Sequence, residues 1–372
     1  MKHLLLCVLF AAVPAGAAAA PLSQAAPLRL AIAGLVHGHV AGFLKSAQAR
    51  KDVQIVGVFD PDPALQQKYA TQFHLDKALF FSDLATMLDR TKPEAVASFT
   101  STYDHPMVVE AAAGRHIHVM MEKPLAVSLE HARRIERAAR SGNVEILVNY
   151  ETTWYPSHAA MWTLLKEQRA GGAIRNMVAL DGHSGPKEIG VGPEFLAWLS
   201  DPARNGAGAL FDFGCYGANL MTWMMDNQRP LSVVAVTQQF KPGIYAKVDD
   251  EATILVEYAG AQGIIQASWN WPFDRKDFEV YAEHALAVGS RNGLRVRVGT
   301  EPEHAVTPDP RAADEQDSVS HLLAVVRGAR KPNALSSLEN NLIVTEILQA
   351  ARDSARTHAR VFLGAPAHGR VQ

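Results

Sequence analysis

Apolar residues fall into two successive rhythms along this chain, and each predicts its own kind of sheet. In the first, short continuous apolar runs alternate with amphipathic stretches. Residues 28–33, 53–59, 95–99, 117–121 and 144–148 read as strands. Residues 64–73, 83–89 (behind a cap at Ser82), 105–113 and 129–139 read as helices. Continuous apolar strands separated by helices predict a parallel sheet covered on both faces. Pro61-Asp62-Pro63 marks the turn after the second strand.

Beyond Asn149 the rhythm changes. Residues 233–239, 252–258, 263–269 and 278–285 read as successive strands with short turns, as in an antiparallel sheet. Ser336 and Glu339 have capping-box spacing and open a helix that runs to about Ala355. The fold class expected is α/β. An N-terminal Rossmann-type, doubly wound parallel sheet over 27–149 precedes a C-terminal α+β domain over 150–363, whose open sheet is mostly antiparallel. Residues 364–372 read as a tail.

The start of the chain changes where this protein is expected to work. Met1-Lys2-His3 is basic, Leu4 to Phe10 is apolar, and small residues follow to Ala20 and Ala26. That is the pattern of a cleavable secretory signal over 1–26, hence a periplasmic location, with a tethered anchor as the alternative. The apolar run is too short and too interrupted for a permanent membrane span. Cys7 leaves with the signal, so Cys215 stands alone, cannot form an internal disulfide, and suits a small buried hydrophobe. With 372 residues, 48% hydrophobic, and a formal net charge of -2, the chain suits a globular protein of about two domains. It has no basic stripe, so nucleic acid is not an expected partner.

Two places along the first half carry chemistry. Gly34 after the first strand and Asp60 after the second form a dinucleotide fingerprint, with an interval a little longer than the usual ~20 residues. Asp60 would accept the adenosine ribose hydroxyls and repel a 2′-phosphate, favouring NAD and leaving NADP open. Val36 and His39 stand where the fingerprint's second and third glycines belong, so a cofactor-free sheet is the competing reading. His37-Gly38-His39 could be a metal pair, yet two histidines on a tight turn rarely converge without a further ligand. They read better as phosphate contacts, and no metal is expected. The second place is Glu122-Lys123-Pro124, directly after an apolar strand, where ligands of such sheets bind.

Three blocks together resemble the Gfo/Idh/MocA family of oxidoreductases, over about 28–363. They are Glu122-Lys123-Pro124, the segment Ser101-Thr102-Tyr103-Asp104-His105, and the run from Gly206-Ala207-Gly208 through Asp212 to Tyr216. The resemblance implies Lys123 at the reacting carbon, with Glu122 beside the cofactor. Thr100, Thr102 and His105 would lie near the nicotinamide, and Asp212 and Tyr216 in the catalytic block. Three departures matter. The family's active-site histidine is Tyr216 here, as in the glucose-fructose oxidoreductase branch; its aspartate is Asn219; and an arginine common before its aromatic-x-Pro is Thr153.

The implied activity is hydride transfer to or from a carbohydrate or polyol, with Lys123 and Tyr216 handling the proton. Asp212 would orient them or bind a substrate hydroxyl, unless it only caps a helix. Tyr216 has a core-aromatic alternative, and Trp198, Trp269 and Trp271 could stack on sugars or pack. A homo-oligomer is expected. Export raises a difficulty, because no free nicotinamide pool is evident outside the cytoplasm. Redox-neutral chemistry on a retained, recycled NAD, and a non-catalytic sugar-binding protein, therefore stay open.

Overall fold

The computed structural model describes residues 26–291 and 293–364. The signal expected over 1–26, save its last residue, lies outside the described residues, as do Cys7 and the tail after Gly364. Among the described residues, no helix is long and apolar enough to cross a membrane.

The first half holds strands β1 (Leu28–Ala33), β2 (Val53–Phe59), β3 (Phe80–Phe81), β4 (Ala95–Ser98), β5 (His118–Glu122) and β6 (Ile146–Asn149). They form one parallel sheet in the order β3-β2-β1-β4-β5-β6. Helices α1 (Val40–Gln48), α2 (Pro63–Gln72), α3 (Leu84–Thr91), α4 (His105–Ala113) and α5 (Leu129–Gly142) make the crossovers. Leu30 and Ile32 of β1 are fully buried, as are their neighbours Ala31 and Ala33, because helices cover both faces. Leu30 and Ile32 each contribute about 1.5–3 kcal/mol on burial.

Two details differ from expectation. Helix α3 is capped by Asp83, whose carboxylate accepts the Thr86 amide at 2.7 Å, and not by Ser82. Helix α1 was not anticipated. Val40, Phe43, Leu44 and Ala47 carry the correct spacing, but Gly42 interrupts the stretch and no side chain caps it.

The second half contains α6 (Pro156–Trp162), β7 (Ile174–Gly182), α7 (Pro193–Leu199), α8 (Pro202–Asn205), α9 (Ala209–Asp212) and α10 (Gly214–Met224). Strands β8 (Ser232–Gln238), β9 (Glu251–Glu257), β10 (Gln262–Ser268), β11 (Arg275–Ala282), β12 (Ala285–Ser290), β13 (Gly293–Val298) and β14 (His304–Val306) follow. Helices α11 (Ser318–Val326) and α12 (Leu338–Thr357) and strand β15 (Val361–Phe362) complete it. The nine-stranded sheet runs β14-β13-β12-β11-β7-β10-β9-β8-β15, antiparallel except where β7 meets β10. Strand β7, unforeseen, sits at its centre. Helices α10 and α12 pack on one face. On the other face Val236, Leu255 and Tyr281 stay exposed. The N-cap of α12 is Ser337, one residue later than expected, and its hydroxyl accepts the Asn340 amide at 3.2 Å.

Candidate active site

A cavity of about 680 Å³ opens between the carboxyl ends of the parallel strands and the second sheet. Its walls include His37, Gly38 and His39 of the glycine turn, Lys123, Asp212 and Tyr216, and His183 and Lys276 from the second sheet.

Lys123 follows directly on β5, and its ammonium donates to Asp212 Oδ1 at 2.5 Å and to the Asp212 carbonyl at 3.0 Å. Both side chains are buried, 7% and 6% exposed. Burial alone would strip charge from each. The partner outweighs it, so Lys123 sits above its ordinary pKa and Asp212 below its own. The other carboxylate oxygen, Asp212 Oδ2, accepts the Trp269 indole N–H at 2.9 Å. Trp269 is therefore no sugar-stacking platform; it is fully buried and fixes the aspartate. Nor does Asp212 cap a helix, since it ends α9 with its carboxylate turned to Lys123.

Tyr216, on α10, places its ring 5.2 Å from the Lys123 ammonium and 5.6 Å from that of Lys276. Among the described residues nothing hydrogen-bonds its hydroxyl, and the residue lines the cavity. Burial pushes its pKa well above the ordinary value, so the phenol stays protonated despite two neighbouring cations. As folded, Lys123 and Tyr216 are both hydrogen-bond donors toward the cavity.

His105 does not reach this cavity. It opens α4, fully buried, with Nδ1 3.1 Å from the Leu125 carbonyl, and holds the segment after Glu122-Lys123-Pro124 from beneath. Thr100 and Thr102 are buried too; Thr100 packs against Gly34, and Thr102 Oγ1 has no hydrogen-bond partner among the described residues. Asn219 is structural, donating to the Leu335 carbonyl and to Asn340. Cys215 is buried, its Sγ–H 3.3 Å from the Asp212 carbonyl.

The glycine turn fits a dinucleotide at one end and departs from expectation at the other. Gly34 has φ +90, and a Cβ there would lie 2.7 Å from the Thr100 amide nitrogen, so only glycine serves. Helix α1 begins beyond it with no side-chain cap and no acidic residue in its first turn; the His37 carbonyl takes the Val40 amide at 3.1 Å, which leaves those of Ala41 and Gly42 for a diphosphate. Asp60, however, is 2% exposed, and its carboxylate accepts the Leu35 amide at 2.7 Å and the Asp62 amide at 2.9 Å. It ties the turn to the end of β2, which leaves little of it for a ribose.

Val36, at the second glycine position, hands its carbonyl to the Trp198 indole at 3.3 Å. His37 is not a surface phosphate contact. It is buried, with its ring 4.7 Å from Phe195 and 5.6 Å from Trp198, and burial lowers its pKa well below the ordinary value. Gly38 leaves room for Phe195, which a Cβ would approach to 3.0 Å. His39 is the exposed member and faces Glu122, with Nδ1 3.0 Å from Oε2. Thus α7 crosses from the second domain to cover the turn. It is tied at its start by Glu194 to Lys68 of α2 at 2.6 Å.

Sequence reading missed the far wall. His183 follows β7, and its Nδ1 accepts the Gly185 amide at 2.9 Å, which fixes the proton on Nε2. Lys276 of β11 pairs with Glu151 at 3.2 Å and Asp274 at 3.1 Å. Asp181, on β7, is buried, and burial raises its pKa well above the carboxylate range. The Gly182-His183-Ser184-Gly185 turn was the available signal for His183; Lys276 lay among charged residues and had none.

A parallel dinucleotide sheet whose strand ends meet a lysine–aspartate pair in a cavity walled by a second domain defines an NAD-binding oxidoreductase. Comparison with known proteins gives the family. Residues 28–150 match the model described as "Oxidoreductase family, NAD-binding Rossmann fold", and residues 182–288 the "GFO/IDH/MocA C-terminal domain". The chain belongs to the Gfo/Idh/MocA family.

A trans-1,2-dihydrobenzene-1,2-diol dehydrogenase of Xenopus laevis is 30% identical over 151 residues, covering 41% of this chain and 42% of that protein. The chain thus spans less than half of that relative. A D-apiose dehydrogenase of Paraburkholderia graminis is 23% identical over 332 residues, 83% of each chain. Among solved structures, an aldose-aldose oxidoreductase from Caulobacter crescentus superposes with a TM-score of 0.77 at 18% identity, over 91% of this chain and 100% of that one, a likeness of fold.

Proposed function

We propose that this protein is an exported oxidoreductase that transfers a hydride between NAD and a hydroxyl or carbonyl carbon of a carbohydrate or polyol. The observation that carries the reading is the buried Lys123–Asp212 pair beside Tyr216, in the same cavity as the glycine turn. The sugar names of two of the similar proteins support the substrate class.

NAD, when bound, supplies the hydride acceptor or donor; the diphosphate would rest on the turn from Gly34 to His39 and the α1 amides. The chain's own residues hold and protonate the substrate oxygen. In the reducing direction the Lys123 ammonium and the Tyr216 phenol both donate to the carbonyl oxygen, which leaves as a hydroxyl after taking the Lys123 proton. In the oxidising direction Lys123 must first lose a proton. An oxidised NAD held in the cavity would favour that loss from Lys123 by like-charge repulsion. Asp212 keeps the amine aimed, and Trp269 keeps Asp212 aimed.

One observation favours a second form of the same chemistry. Helix α7 lies across the glycine turn, which suits a cofactor retained and recycled. Alternating oxidation and reduction of two sugars, or oxidation followed by elimination, would then need no external nicotinamide pool.

The deciding experiment begins by denaturing purified protein and assaying the supernatant for nicotinamide nucleotide. Sugars and inositols are then offered to native and Lys123→Met protein. Released NAD and turnover in the native protein alone are expected. Equal turnover in the two proteins would remove the assignment. A protein that holds no nicotinamide, and whose melting temperature neither NAD nor NADP shifts, would be a sugar-binding relative without catalysis.

A further inference from the structure

We propose that His37, His39 and Glu122 form a binding site for a divalent first-row transition-metal ion, at the junction between the glycine turn and the end of β5. The sequence offers only the two histidines, which lack a third ligand nearby. The fold supplies one, because the ends of β1 and β5 bring Glu122 against the turn. One ligand atom from each residue lies within 4.8 Å of the other two. Two imidazoles and one carboxylate form a donor set suited to zinc, manganese or iron(II).

The carboxylate is oriented from behind, since Asn149 Nδ2 donates to Glu122 Oε1 at 2.9 Å and Asn149 Oδ1 accepts the Trp154 indole at 3.0 Å. That leaves Oε2, the oxygen now facing His39, for an ion. Outer partners of this kind commonly set metal affinity.

The remaining geometry says what must move. Zinc–ligand bonds of about 2.0–2.1 Å place neighbouring ligand atoms roughly 3.3 Å apart, so the trio must close. His39 is free to do so, because its side chain is 54% exposed and follows Gly38. His37 gives up only a long hydrogen bond, 3.2 Å from the His39 amide to its Nδ1. Phe195 and Trp198 seal the His37 side against water. His37 and His39 also line the cavity, so an ion held there would be within reach of oxygens entering it.

The site goes beyond the oxidoreductase reading and does not depend on turnover. Metal-stripped native protein is titrated calorimetrically with zinc chloride, and separately with manganese chloride. One ion per chain is expected. His39→Ala should weaken binding at least tenfold, and Asn149→Ala about tenfold. His39 is exposed, so its variant keeps the fold, and matching circular dichroism checks this. Glu122→Gln should behave as His39→Ala does. The proposal is overturned if the native protein binds neither ion stoichiometrically, or if His39→Ala binds with unchanged affinity, which would mark an adventitious ion elsewhere.

Discussion

Lys123 and Asp212 are 89 residues apart in sequence and meet at 2.5 Å, joining the end of the nucleotide-binding sheet to the block that opens α10. Neither charge is affordable alone at this depth. Losing one partner leaves the other buried and unpaired, at a cost of about 3–5 kcal/mol. Asp212→Asn should therefore lower the melting temperature as well as kcat. Lys123→Met should reduce kcat by roughly 10²–10⁴-fold. Calorimetry together with steady-state kinetics reads both effects, and an Asp212→Asn protein of native stability would contradict the pairing.

Tyr216 is placed to donate and, staying protonated, has no means of acting as a base in the resting site. Tyr216→Phe should lower kcat by about 100-fold in the reducing direction, as loss of one oxyanion donor does, with KM nearly unchanged. A drop confined to KM would make the residue a binding contact.

Helix α7 should govern how fast a cofactor leaves. The Lys68–Glu194 pair is partly exposed and worth about 0.2–1 kcal/mol, so Glu194→Gln should speed NAD release by no more than about fivefold. Trp198→Phe loses the bond to the Val36 carbonyl, worth about 1 kcal/mol, and should add roughly another fivefold. Stopped-flow displacement of NAD measures both. Unchanged release in the double variant would mean that the helix does not gate the groove.

The buried histidines should make the fold sensitive to mild acid. Burial lowers His105 from 6.5 to about 4, and His158 likewise. Between those values the unfolded chain binds more protons than the native one. Stability is therefore complete above pH 6.5 and falls as pH drops toward 4, by on the order of 3 kcal/mol for each histidine. Glu122, depressed to about 2, retains its contribution above 4.5 and loses it only as pH falls toward 2. Asp249, raised to about 6 by burial, takes up a proton in the native state over the same range and opposes the fall, so the readout is a difference between two proteins. From pH 7 to 4.5 the melting temperature of His158→Gln should fall less, or rise more, than that of the native protein. Parallel profiles would contradict the burial argument.

The parallel half was legible because its strands are buried on both faces and read as unbroken apolar runs, β1 and β2 to the residue. The same logic failed for β7. Arg175, Asn176 and Asp181 break its pattern, although neighbouring strands and α10 make it the centre of the second sheet. Lys123 and Asp212 could be singled out from their motifs. His183 and Lys276 could not be joined to them, because β7 lies between β10 and β11 in the sheet but far before both in sequence. The capping errors share one cause: Ser82 beside Asp83 and Ser336 beside Ser337 offer two adjacent caps, and only backbone geometry chooses.

The uncovered face of the large sheet carries Val236, Leu255 and Tyr281 in a patch that a second copy would bury. Light scattering should give a mass above one chain, and Val236→Glu with Leu255→Lys should lower it. A native monomer at micromolar concentration would refute self-association through this face.

The helix laid over the glycine turn has a kinetic corollary. With that side fenced by Phe195 and Trp198, the exposed lining residues Ile189 and Phe273 mark an open mouth for small molecules. An oxidised product would have to depart before a second reactant could enter by the same doorway. The two partners would then take turns in ping-pong order, each inhibiting the other at high concentration.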